Sequence, residues 1–333
     1  MQINRARRVI AVPVLAALCV AVTACGSSGG GSSSGGGSSG SSSSAKGKKV
    51  VALLAGTNVP YLATYAKEMK QDATASGLSL QVQSADFDAS RQAQQFDDAI
   101  SGQPDAIIIN AVDAKAIVPS LLKAKQANIP VVASNNGVDP SAKSMVKGYT
   151  GPNDTIEGAM SAEIMAKALG GKGSVAIVMG ALGTTPQINR TKGFTDRLKA
   201  IAPNVTILGQ ETGNWDKGKS RTVAANFITR FGSKLNGVFG EDDTTASGAA
   251  QAIADAGKRG QIKVVGLGGS TLGFQGVKNG SISGTLIQSP KQDAKLAVDA
   301  AAKVVSGQSI PANTYLKPIK VTKANVGNLQ PEW

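Results

Sequence analysis

The sequence predicts an α/β protein of two similar doubly wound lobes, each a parallel sheet flanked by helices. Two observations predict it. From Lys49 onward, short apolar runs alternate with helical patterns along the whole chain, the layout of parallel strands joined by crossover helices. The second half repeats the theme of the first, and no Pro/Gly/Ser-rich tract divides residues 45–333 into independent halves. A single linker between the lobes is therefore not expected. The length of 333 residues fits a soft prior of about two domains and gives ample length for a core.

The elements follow in order. KVVALLAG, residues 49–56, is a continuous apolar run of the kind that forms a strand covered on both faces. A helix is expected over 61–76, a strand over 78–83, a helix over 90–101 and a strand over 106–109. A helix over 114–127 then leads through the turn Asn128-Ile129-Pro130 into a strand at Val131 and Val132. A further strand over 147–150 meets Gly151-Pro152-Asn153, a breaker cluster read as the first passage into the second lobe. There, strands are expected over 175–179, 205–208, 238–239 and 264–267, with helices over 185–201, 217–231, 244–256 and 272–278. Asn279-Gly280 is a turn signal before a strand over 283–288 and a last helix over 290–306.

The stretch GVFGEDDTTASGAAQ, residues 237–251, carries the strongest local hint of function. Its apolar start ends at a carboxylate cluster that opens a small-residue helix, so Asp242 and Asp243 read as turn and N-cap residues. In open α/β sheets, ligands bind beyond the carboxyl ends of the strands. One of the two carboxylates is thus placed to face a ligand. The alternative is that both only cap, balancing the partial positive charge of the helix start.

The N-terminus reads as an export signal. Arg5, Arg7 and Arg8 precede an apolar run over 9–22 that contains Pro13 and is too short for a comfortable membrane span. Val22-Thr23-Ala24-Cys25-Gly26 resembles a bacterial lipobox, so residues 1–24 are expected to be removed and Cys25 lipidated. Residues 26–44 are all Gly or Ser. Such a stretch cannot bury apolar surface and acts as a flexible tether with a reach of roughly 24 Å. The expected location is the outer face of the cytoplasmic membrane, at the cell surface or in the periplasm.

Three arginines and no acids precede Cys25, so the formal charge falls from +13 to +10 on maturation. A basic chain can suggest nucleic acid, but export and the lack of a clustered basic stripe argue against it. Lys46, Lys48 and Lys49 form the one tight cluster, read as a solvated run near anionic head groups.

No histidine occurs, and Cys19 and Cys25 are the only cysteines. This removes Ser-His-Asp and Cys-His nucleophilic sites, thiolate zinc sites and imidazole metal sites, and neither metal nor cofactor is expected. A carboxylate-based glycoside hydrolase needs two acids flanking a bond across a cleft. Asp242 and Asp243 are neighbours at a turn, so the chain is not read as an enzyme. Gly266-Leu267-Gly268-Gly269 lacks dinucleotide-binding spacing, and no phosphate loop is present. What remains at the expected strand ends is Asn58, Tyr61, Asn135, Asn136, Asn153, Arg190, Trp215, Asp242 and Gln288. Amides, a carboxylate and a guanidinium can bond adjacent hydroxyls while an aromatic ring covers a C–H face, which suits a polyhydroxylated ligand.

The order of these motifs over residues 48–323 resembles the ribose-type, or type I, periplasmic sugar-binding proteins of ABC importers. VALLAGTNVPYL looks like the first strand and its ligand loop, at Asn58 and Tyr61. QANIPVVASNNG is similar to the family's Asn-Ile-Pro strand, whose end supplies Asn135 and Asn136. GALGTTPQINRTKGF resembles the segment whose arginine before Gly-Phe contacts ligand, here Arg190. GNWDKGKS matches the aromatic-Asp turn at Trp215, GEDDTTASGAA the polar strand end at Asp242, and GTLIQSP the hinge-side glutamine at Gln288.

Ribose-type proteins usually carry Asp-Arg where this chain has Asn135-Asn136, and Asp where it has Gly268. Losing such charged hydrogen bonds, each about 1.5 to 3 kcal/mol, implies a monosaccharide other than ribose, or a polyol. The resemblance further implies three crossings between lobes, near Asn153, Gln288 and Tyr315. The lobes would then be residues 48–152 with 289–315, and 153–288 with 316–330, after a tether at 25–47. It implies a monomeric, lipid-anchored solute-binding protein that closes on a small sugar or polyol and serves an ABC permease. The rival of the same fold is a sensor subunit presenting a sugar or furanosyl signal to a membrane receptor.

Overall fold

The computed structural model describes residues 44–333. The expectations for the signal segment, Cys25 and the Gly/Ser stretch up to residue 43 lie outside the described residues.

The chain first builds β1 (Lys49–Leu54), α1 (Pro60–Ala75), β2 (Ser79–Ser84), α2 (Ala89–Ser101), β3 (Ala106–Ile109), α3 (Val118–Gln126), β4 (Val131–Ser134) and β5 (Tyr149–Gly151). It then builds α4 (Asp154–Leu169), β6 (Lys172–Met179), α5 (Thr185–Ile201), β7 (Asn204–Thr212), α6 (Lys217–Phe231), β8 (Gly237–Gly240), α7 (Asp243–Asp255), β9 (Lys263–Val265), α8 (Thr271–Asn279) and β10 (Gly284–Ile287). Last come α9 (Pro290–Val305), β11 (Asn313–Tyr315) and β12 (Ile319–Thr322). Two six-stranded sheets result, ordered β11-β5-β4-β3-β1-β2 and β12-β10-β9-β8-β6-β7. Every pairing is parallel except β10 with β12. The chain passes from one sheet to the other three times, at β5 to α4, β10 to α9 and β11 to β12.

The continuous apolar strands follow from burial on both faces. Side chains alternate across a strand, so Val50, Ala52 and Leu54 of β1 join Leu62, Tyr65 and Met69 of α1 with Ala294, Ala297 and Val298 of α9. Val51 and Leu53 face the other way, to Phe96 of α2 and Leu121 of α3. Each large aliphatic side chain so buried stabilises the fold by about 1.5 to 3 kcal/mol. The second sheet is sandwiched likewise, and Phe194 of α5 stacks on Phe239 of β8 with centroids 4.3 Å apart.

Helix α4 is the main departure from the sequence expectation, which has no helix over 154–169. Its buried face carries Asp154, Glu157 and Ser161 among Ala162, Ile164 and Met165, so no clean apolar stripe marks it. Glycines bring it close to α5. A Cβ on Gly158 would lie 2.3 Å from the Arg190 carbonyl oxygen, and one on Gly193 would lie 2.1 Å from that of Thr155. This crossing sets the acids of α4 beside Arg190. Lys48 pairs with Asp105 at 2.9 Å. Among the described residues, no helix is long and apolar enough to cross a membrane.

Candidate functional site

The carboxyl ends of both sheets point at one cleft. Its lining includes Tyr61, Asn135 and Asn136 from the first sheet's side and Arg190, Trp215, Asp242 and Gln288 from the second's. Seven of the nine expected residues therefore meet. The cleft is narrow, about 60 Å³. The lobes also touch beside a separate, larger cavity, where the Gly137 amide donates to Thr185 Oγ1 at 2.7 Å and the Ala114 amide to the Gly183 carbonyl at 3.2 Å.

Two of the expected residues lie outside this cleft. Asn58 is exposed on the loop before α1 and does not line the cleft. Asn153 is the N-cap of α4, its Oδ1 accepting from the Ile156 amide. It faces a separate, larger cavity of about 850 Å³ with Tyr149, Asn189 and Tyr315. We place the candidate site in the smaller cleft because the strand ends of both sheets and the buried charges converge there.

Arg190 is the centre of the second lobe's contribution. Its Nε donates to Asp154 Oδ1 at 2.9 Å, Nη1 to the Glu241 carbonyl at 2.9 Å and Nη2 to Gln288 Oε1 at 3.1 Å. Glu157 stands 3.7 Å from Nη2. Burial works against the guanidinium charge, but Asp154, Glu157 and Glu241 outweigh it and hold Arg190 above its ordinary range. One cation cannot ionise every acid around it. Burial lifts Glu157 to about 8, and neither of its oxygens has a hydrogen-bond partner. Burial also lifts Glu241 to about 8, although Thr191 Oγ1 and the Gly180 amide donate to its carboxylate.

Trp215 reaches the cleft because the backbone there is unusual. Asn214 and Trp215 both have positive φ, 54° and 58°, a conformation that costs a bulky residue energy and marks a constrained turn. Gly180, at the end of β6, makes room for the indole, since a Cβ there would lie 1.9 Å from its ring. The Arg190 guanidinium sits 5.9 Å from the ring centroid.

The two neighbouring acids after β8 divide their tasks. Asp243 is fully buried and accepts from Ser270 N, Ser270 Oγ and Thr285 Oγ1, so it ties α7 to the loop before α8 and to β10. Burial lifts it to about 6. Asp242 is half-buried; its Oδ1 accepts from the Thr245 amide at 2.6 Å in a capping box, while the residue lines the cleft. It caps and faces the site at once.

On the first lobe, Asn135 adopts φ 60°, a left-handed conformation that asparagine tolerates. Its Nδ2 donates to Asp293 Oδ2 at 2.7 Å, and its Oδ1 accepts from Asn110 at 3.1 Å. Tyr61 donates its hydroxyl to the same Asp293 oxygen at 3.0 Å. Asn136 donates to the Ala111 carbonyl at 2.7 Å. Asp293 is thus a positioning residue behind two cleft residues. Burial raises it to about 7 despite those two hydrogen bonds.

Sequence reasoning missed Asp293, Phe87 and Trp333. Asp293 has no motif around it, only its place in the first turn of α9. Trp333 carried a signal, as one of only two tryptophans in the chain. Both line or support the cleft.

Two parallel-sheet lobes, three crossings and a polar cleft with aromatic walls define the class of two-lobed solute-binding proteins. The chain belongs to the periplasmic binding protein domain family, whose model matches residues 50–309, and within it to the type I sugar-binding proteins. It is 33% identical over 276 residues to the xylitol-binding protein of Mycolicibacterium smegmatis, a match covering 81% of this chain and 77% of that one. It is 31% identical over 225 residues to the D-ribose/D-allose-binding protein of Pseudomonas aeruginosa, covering 67% and 70%. The crystal structure of an ABC transporter periplasmic solute-binding protein from Actinobacillus succinogenes with bound D-allose superposes with a TM-score of 0.77 at 28% identity, covering 85% of this chain and all of that one.

Proposed function

We propose that this chain is the solute-binding component of an ABC importer, taking a small neutral sugar or polyol between its lobes and delivering it to the permease. The observation that carries this is the convergence of Tyr61, Asn135 and Asn136 with Arg190, Trp215, Asp242 and Gln288 on one cleft. Amide, guanidinium and carboxylate groups supply paired donors and acceptors for hydroxyls, and Trp215 supplies an apolar face. The ligands named for two of the relatives, xylitol and D-allose, are of this chemistry.

The three passages between sheets form the hinge in this reading, with residues 48–152 and 289–315 as one lobe and 153–288 and 316–330 as the other. A ligand touching both lobes favours the closed form, which the permease recognises. Cys25 carries the lipid that holds the monomer at the membrane. Metabolic labelling with a fatty-acid analogue tests this, and a Cys25→Ala chain that keeps the label would remove the anchor.

The test of the function is a thermal-shift screen of residues 45–333 against xylitol, ribitol, D-ribose, D-allose and myo-inositol. At a ligand concentration 100 times Kd, binding adds about 2.7 kcal/mol to folded-state stability. A raised melting temperature with one or a few of these compounds is expected. No response to any carbohydrate, together with a response to an amino acid or nucleoside, would overturn the ligand class.

A further inference from the structure

We propose that Trp333 is a wall of the ligand site and sets the size of the solute that the cleft admits. The proposal rests on the sugar-site reading and deepens it.

Trp333 lines the cleft with Tyr61, Phe87 and Leu267. Its indole meets the Tyr61 ring edge to face, with centroids 5.6 Å apart and planes at 88°. Tyr61 stands on α1 of the first lobe, whereas the backbone of 332–333 is fastened to the second. The Thr271 amide and hydroxyl donate to the Trp333 carbonyl at 2.7 and 3.0 Å. The Glu332 amide donates to the Gly269 carbonyl at 3.0 Å, while the Glu332 carboxylate accepts from Ser289 Oγ at 2.9 Å, at the crossing where α9 returns to the first lobe. The indole Nε1 donates to the Gly268 carbonyl at 3.0 Å. Trp333 is thereby fixed on one lobe with its ring against the other.

The ring also takes space that another side chain would need. Gly268, with φ 131°, has a position for Cβ only 2.8 Å from Trp333 Cζ2. Because Nε1 is spent on Gly268, the indole offers a ligand its apolar surface rather than a hydrogen bond. Ligand pockets commonly measure about 300 Å³ or more, while this cleft holds about 60 Å³. An indole is among the largest side chains, so its removal is the simplest way to enlarge the site without touching the hydrogen-bonding groups. A compact ligand passes under the ring, and a bulkier one collides with it.

The experiment compares the unmodified chain with W333A and W333F by calorimetric titration against xylitol and D-allose as five-carbon and six-carbon probes. We expect W333A to shift the ratio of the two affinities at least tenfold toward the larger probe, and W333F to shift it less. Equal weakening of both probes would make Trp333 a packing residue and overturn the proposal. Unchanged affinities would do the same. If the unmodified chain binds neither probe nor any other carbohydrate, the sugar-site reading fails and takes this inference with it. A second measurement covers poor folding of W333A: in a Trp215→Phe chain, Trp333 is the sole tryptophan, and its emission should change with saturating xylitol or D-allose. A constant emission during binding detected by calorimetry would also overturn the proposal.

Discussion

The two lobes face the same cleft with different chemistry. The first offers a phenol and two amides, Tyr61, Asn135 and Asn136, with the carboxylate of Asp293 held behind them. The second offers Arg190, Asp242, Gln288 and an indole, and surrounds Arg190 with Asp154, Glu157 and Glu241. Charged groups are costly to desolvate unless their partners are already in place. The second lobe carries its compensation internally, through contacts within α4, α5 and the ends of β8 and β10. Neutral groups need less, so the first lobe can meet the ligand without a comparable network.

The largest break in this contrast is Arg190→Ala. The substitution removes a cleft residue, and the burial of Arg190 beside Asp154 and Glu157 adds a stability cost. Removing one partner of a buried ion pair costs about 3 to 5 kcal/mol. Denaturant unfolding should show that loss, and calorimetry should show no measurable binding. A stability change below about 1 kcal/mol would mean the network contributes little.

A smaller effect is expected on the first lobe from Asp293→Asn. The amide keeps one acceptor but loses the charge that receives Tyr61 and Asn135, a change of about 1 to 3 kcal/mol in hydrogen bonding. The substitution also has a pH signature. The folded-state value near 7 lies above the ordinary aspartate value of 3.8, so the folded protein holds a proton that the unfolded chain has released across that window. The stabilising contribution is complete below about 4 and is lost as pH rises through about 7. Melting temperatures measured from pH 5 to 8 should therefore fall less steeply in the variant. A parallel slope would assign the pH dependence to Glu157 and Glu241 instead.

The smallest effect sharpens the border of the site. Asn153→Ala removes the cap of α4 and should cost about 1 kcal/mol in stability. Ligand affinity should stay within about twofold, which is under about 0.5 kcal/mol. A tenfold loss would return Asn153 to the binding set.

Legibility differed by kind of feature. The strands of both sheets up to β10 were readable because β-branched and aliphatic runs such as Ala106 to Ile109 have few other uses, whereas the short edge strands β11 and β12 carry no such run. Helix α4 was not, because Asp154 and Glu157 lie on its buried face, where the compensating charge comes from Arg190 on α5. Asn58 and Asn153, which lie outside the cleft, could not be told from the cleft residues by sequence, because a polar residue after a strand caps, turns or binds with the same local sequence. Asp242 and Asp243 show the same ambiguity in adjacent positions. Contacts from Ser270 and Thr285, 27 and 42 residues away, draw Asp243 inside.

The sequence by itself determined the α/β class and the two-lobed repeat, since these follow from apolar periodicity, and it nominated a polar set from motifs contiguous in the chain. Tertiary structure alone decided which polar residues face the cleft, that Asp293 stands behind Tyr61 and Asn135, and that Trp333 reaches Tyr61 across 272 positions of chain. Local patterns encode which face of an element is buried. They do not encode which distant element will lie against it, and a binding cleft is made of those distant meetings.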